Sequence, residues 1–124
     1  AFEFEVKIKT TSAKESIGFI LCNDNGEEVK CHYDMFKGQF VMDRTRSGKV
    51  DFSRDFPAVT VAPANLGKTV SLRVFVDKTS VEIFGEDGKF VMTNLVFPTR
   101  PYDTIRFFAT DGGYNVKSLD IYNY

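Results

Sequence analysis

From Phe2 to Thr10 the chain alternates without interruption: Phe2, Phe4, Val6 and Ile8 fall on one side, and Glu3, Glu5, Lys7 and Lys9 on the other. A period of two is the mark of an extended strand with one face in a core and one in water, because successive side chains of a strand point to opposite faces. The same period returns at Val70, Leu72, Val74 and Val76, and no segment carries a sustained 3.6-residue apolar stripe. Thirteen Phe, five Tyr and many Val and Thr, with no Trp, suit pleated and half-buried surfaces. These features predict an all-β chain.

The turn chemistry divides the chain into about nine to ten strands. Ile17 to Asn23 and Glu27 to Asp34 flank Asp24-Asn25-Gly26, residues that tolerate positive φ, which predicts a hairpin. If its loop runs from Asn25 to Glu28, Cys22 and Cys31 face each other across the strands. A disulfide and two separate buried thiols are then both open. Gly38 to Arg44 forms a strand closed by Thr45-Arg46-Ser47-Gly48, and Val50 to Ala64, interrupted by Pro57 and Pro63, is expected to be a long crossing between sheets. Val70 to Val76 turns tightly at Asp77-Lys78 into Ser80 to Phe84. Glu86-Asp87-Gly88 leads into Lys89 to Asn94, and Asp111-Gly112-Gly113 joins Thr104 to Thr110 with Tyr114 to Tyr122. Turns at this spacing, without a fixed-period repeat, predict one domain over residues 1–124. Its architecture is a two-sheet antiparallel β-sandwich of the jelly-roll or lectin-like kind.

Charge and motif spacing remove several function classes. Sixteen Lys and Arg stand against seventeen Asp and Glu, so no net field draws the chain to nucleic acid or anionic lipid, and neither is an expected partner. No apolar run reaches the eighteen residues of a membrane helix, and the first residues alternate where a leader would be basic and then apolar, which places any export signal upstream. Gly67-Lys68-Thr69 imitates the end of a phosphate loop, but Ala62 holds the first glycine position and a strand follows where a helix is required. Asn23 to Glu28 gathers oxygen atoms without the spaced acidic ladder and closing Glu of a calcium loop. The single histidine, His32, adjoins Cys31, yet neighbours on a strand point to opposite faces, so they form no nucleophile and base pair. No catalytic residue, metal or cofactor is therefore assigned. Tyr33, Tyr102, Tyr114 and Tyr124 lie near strand ends and are expected at the rim, with their hydroxyls in water.

An ordered set of segments carries a resemblance. These are Asp43-Arg44-Thr45-Arg46-Ser47-Gly48 with Phe52 after it, the block Leu72-Arg73-Val74-Phe75-Val76-Asp77-Lys78-Thr79-Ser80-Val81-Glu82-Ile83-Phe84, then Asp87-Gly88 and Phe97-Pro98. From about Gly18 to the end, the chain resembles the C-terminal β-sandwich domain of glycoside hydrolase family 32, the levanase, invertase, inulinase and fructosidase group. The resemblance implies a parent enzyme that hydrolyses β-fructosides in a five-bladed propeller domain, with this sandwich as its C-terminal accessory module. The propeller's W-M-N-D-P-N-G-like, R-D-P and E-C motifs are not found in this sequence. Arg54-Asp55-Phe56-Pro57 imitates R-D-P but is interrupted by Phe56. The chain alone is accordingly expected to be inactive and to pack against and stabilise the propeller in cis. The alternative is an autonomous fructan-binding, lectin-like module. A secreted, periplasmic or cell-surface location is favoured over a cytoplasmic one.

Phe75 and Phe84 stand out of phase with the core-facing residues of their strands, which predicts a sheet covered on both sides. Arg73, Asp77 and Glu82 are then candidates for polar contacts to a partner domain or a sugar. Asp43, Arg44 and Arg46 are candidates for the same two roles, or for a bidentate pair that locks the strand exit.

Overall fold

A computed structural model describes residues 1–10, 16–48, 59–85, 90–110 and 113–123. It contains ten strands: β1 (Phe2–Thr10), β2 (Ser16–Cys22), β3 (Glu28–Asp34), β4 (Gln39–Arg46), β5 (Val59–Pro63), β6 (Thr69–Val76), β7 (Ser80–Gly85), β8 (Phe90–Leu95), β9 (Thr104–Ala109) and β10 (Tyr114–Asn123). No helix occurs among the described residues. Two antiparallel five-stranded sheets result, the first in the order β10-β1-β6-β7-β8 and the second in the order β5-β4-β3-β2-β9.

The alternation of β1 becomes burial on one side: Phe4, Val6 and Ile8 are buried while Lys7 and Lys9 are exposed. Their counterparts Phe19, Leu21, Val29, Cys31, Phe40 and Met42 come from β2, β3 and β4. The sheets interlock through aromatic contacts, with Phe4 and Phe19 edge to face at 5.2 Å between centroids and Phe40 and Phe90 tilted at 5.0 Å. Each such side chain contributes roughly 1.5–3 kcal/mol by leaving water.

The polar groups caught between the sheets are satisfied. Asn94 Nδ2 donates to Thr60 Oγ1 at 2.8 Å and to Met42 Sδ at 3.0 Å. Tyr33 Oη accepts from the Leu66 amide at 3.1 Å, and Tyr102 Oη donates to the Ser47 carbonyl. Tyr33 and Tyr102 are thus buried cross-links, which corrects the expectation of rim tyrosines with wet hydroxyls. Burial of the Tyr102 phenol, with the Glu27 charge adding to it, pushes its pKa up although its bond to Ser47 acts the other way. Tyr124 lies outside the described residues.

The β2–β3 hairpin closes around Asn23, whose Oδ1 accepts from the amides of Asn25 (3.0 Å) and Glu27 (3.2 Å), with Gly26 at φ 74°. Its register pairs Cys22 with Glu28 and Cys31 with Phe19. Cys31 points into the core and Cys22 to the outer face, so both thiols are free and the disulfide alternative is excluded. Part of the expected crossing from Val50 to Ala64 is a strand: Val59–Pro63 pairs with β4 at the sheet edge, where the proline at its end breaks no ladder. Residues 49–58, including the stretch from Arg54 to Pro57, lie outside the described residues, as do the turn at Glu86-Asp87-Gly88 and Asp111-Gly112.

Candidate functional site

The residues singled out in the sequence separate into two groups. Arg44 faces inward on β4, is 3% exposed and donates to the Leu95 carbonyl of β8. Burial lowers the pKa of its guanidinium. Its own carbonyl accepts from the Ser47 amide and hydroxyl, so Arg44 ties the strand exit to the opposite sheet. Asp43 accepts from the amide (2.9 Å) and hydroxyl (2.7 Å) of Thr45 and caps the turn locally. Arg46 stands in an exposed pairing with Glu28 at 3.9 Å, a weak contact by its distance and hydration. Asp77 accepts from the Lys78 amide at 2.8 Å within the β6–β7 turn.

The second group meets on the outer face of the first sheet. The register lays Tyr122, Glu3, Phe75, Glu82 and Thr93 in one row across five strands, and Asp120, Glu5, Arg73, Phe84 and Val91 in the next. Arg73 Nε sits 2.8 Å from Glu3 Oε2 and 3.2 Å from Glu5 Oε1, with its guanidinium 5.5 Å from the centre of the Phe75 ring. Phe75 and Phe84 meet at right angles, with ring centres 5.7 Å apart. Both lie on the outer face and are half-buried there. Between these rows and Lys7, Ser71 and Ser118 lies an open groove of about 610 Å³. Glu3, Glu5, Ser118 and Asp120 were not foreseen. The polar outer face of β1 was visible, but its neighbours on β10 are more than a hundred residues away in sequence.

A third feature lies at the open edge. All ten residues of β10 are exposed, and Val116, Leu119 and Ile121 oppose the core residues Ile8, Val6 and Phe4 of β1 with 39–50% of their surfaces in water. A bulge between Lys7 and Ile8 shifts the pairing by one residue and keeps all three on the inward side.

His32 lies half-buried on the outer face of the second sheet, edge to face with Phe108 at 6.2 Å, and its Nδ1 has no hydrogen-bond partner among the described residues. Burial lowers its pKa, the Lys30 charge adds to this, and Asp34 and Asp43 oppose it. Cys31, on the other face, has its thiol pushed up by burial and then by the Asp43 charge, which leaves it a poor nucleophile. Among the described residues no group of three or more His, Cys, Asp and Glu is placed to hold a metal ion.

Comparison with known proteins gives this architecture its relatives. The family described as glycosyl hydrolases family 32 C terminal matches residues 1–123. The levanase of Bacillus subtilis is 38% identical over 122 residues, which are 95% of this chain and 18% of the levanase. The exo-inulinase of Aspergillus awamori superposes with a TM-score of 0.79 at 30% identity, over 98% of this chain and 24% of that enzyme. The galectin LEC-6 of Caenorhabditis elegans superposes with a TM-score of 0.73 over 98% of this chain and 82% of the galectin, and at 15% identity it shares the fold alone. The chain therefore spans about a fifth of the length of the hydrolases it matches.

Proposed function

The chain belongs to the C-terminal domain family of the family 32 glycosyl hydrolases, and from that premise we propose that it is a non-catalytic domain packed in cis against the catalytic domain of an enzyme that hydrolyses β-fructosides. The observation that carries this reading is the β10 edge. A strand of ten residues, exposed throughout, with Val116, Leu119 and Ile121 in water, is a long unprotected edge of the kind that proteins cover. The relatives have length enough for such a cover, since the matched residues make up only 18% of the levanase. A domain joined ahead of Ala1 emerges beside this edge, because Phe2 pairs with Asn123. Hydrolysis of a glycosidic bond needs a pair of carboxyl groups set across the scissile linkage, and in this reading both belong to the catalytic domain. The role of the sandwich is to hold that domain in its stable form.

The test compares Leu119→Lys and Ile121→Lys in the full-length parent with the same variants in the 124-residue chain. Leu119 and Ile121 already have 39% and 50% of their surfaces in water, so the chain alone should lose little melting temperature, while the parent should lose activity markedly faster on heating. The chain alone should release no fructose from sucrose, inulin or levan. Unchanged thermal inactivation of the parent, or fructose released by the repurified chain above matched blanks, overturns the reading.

A further inference from the structure

We propose that the groove on the outer face of the first sheet, between Phe84 and Asp120, is a binding site for a neutral saccharide. The floor runs across four strands as Asp120, Glu5, Arg73 and Phe84, flanked by Ser118, Lys7 and Ser71. This is the chemistry a sugar requires. The Phe84 ring, set edge to face against Phe75, offers an apolar surface to the C–H side of a sugar ring. The planar guanidinium and carboxylates beside them offer paired donors and acceptors to vicinal hydroxyls.

Arg73 is pre-positioned for this role. Glu3, 6% exposed at its side chain, and Glu5 fix its Nε edge, while 53% of the Arg73 side chain remains open to the groove. A donor held in place before the ligand arrives loses little freedom on binding. The charge balance selects among saccharides. Glu5 and Asp120 balance Lys7 and Arg73 in the lining, and Arg73 is already paired with Glu3 and Glu5, so no surplus positive charge is left to reward a phosphorylated sugar. The choice of a fructan as the saccharide rests on the family reading above. The groove itself does not.

Calorimetric titration of the 124-residue chain with levan-type and inulin-type fructo-oligosaccharides, and with fructose 6-phosphate, tests the proposal. Saturable heat is expected for at least one neutral oligosaccharide and none for the phosphate. Phe84→Ala should weaken the affinity about tenfold or more. Arg73→Lys, which removes the planar fork, should weaken it several-fold, and Asp120→Asn, on the exposed last strand, should do so with no change in melting temperature. The absence of saturable heat at millimolar oligosaccharide, affinity unaltered in all three variants, or preference for the phosphate overturns the proposal. Ile121→Lys should leave the heat intact and Asp120→Asn should leave the parent's thermal inactivation intact, so the groove and the β10 edge fail or stand separately.

Discussion

Replacing Glu27 by alanine removes the clasp that joins the β2–β3 hairpin to the segment after β8. Its carboxylate accepts from Asn23 Nδ2 at 3.0 Å, from the Thr99 amide at 2.9 and 3.1 Å, and from Thr99 Oγ1 at 2.8 Å. Hydrogen bonds to a charged group contribute about 1.5–3 kcal/mol each when shielded, and this carboxylate is open enough to water that about 0.5–1 kcal/mol per donor group is appropriate. Three donor groups make the expected loss about 1.5–3 kcal/mol, or roughly 6–12 °C in melting temperature for a domain of this size. Partial burial raises the Glu27 pKa, but the bonds from Asn23 and Thr99 more than offset it, and the folded pKa lies below the ordinary 4.5. The unfolded chain therefore takes up the proton first on acidification. The stabilisation is complete above pH 4.5 and is lost as the pH falls through the lowered folded value. Urea titrations of the wild type and Glu27→Ala at several pH values measure this directly. A difference under about 0.5 kcal/mol at neutral pH, or one that persists undiminished below the folded pKa, refutes the reasoning.

Two further substitutions probe the second sheet. A Cβ on Gly18 would stand 2.6 Å from the His32 Cα and against the Cys31 backbone, which no rotamer change relieves. Gly18→Ala should therefore cost about 2 kcal/mol or more, seen as a lower urea midpoint. The lowered pKa of His32 means that the unfolded state binds its proton more readily, so stability should fall as the pH drops below 6.5 towards the folded value. An imidazole NMR titration with a midpoint at or above 6.5, or no change of this pH dependence in His32→Phe, contradicts the assignment.

The strands that the sequence made legible are those whose two faces meet different media. β1 and the β6–β7 hairpin alternate because one side enters the core, and every second residue is buried from Phe4 to Thr10 and along β6 and β7, with Glu3 buried as well on the outer face. β5 reads poorly for the converse reason. Its Val59 and Val61 turn outward while Thr60 and Ala62 face in, so the apolar residues mark the wrong side. Arg44 gave no local sign of burial, since its acceptor, the Leu95 carbonyl, comes from the other sheet. Arg73 and Phe84 are placed on the outer face by their own hairpin, but the groove also needs Glu5 and Asp120. Those two are brought together only when the last strand returns to the first.

The two thiols, one half-exposed on an outer face and one sealed between the sheets, give the molecule a built-in stopwatch. An alkylating reagent should tag Cys22 on simple collision. Cys31 is reachable only during the rare moments when the layers separate. Counting one added mass against two over time reads the rate of that separation from unaltered protein, with no dye and no engineered reporter.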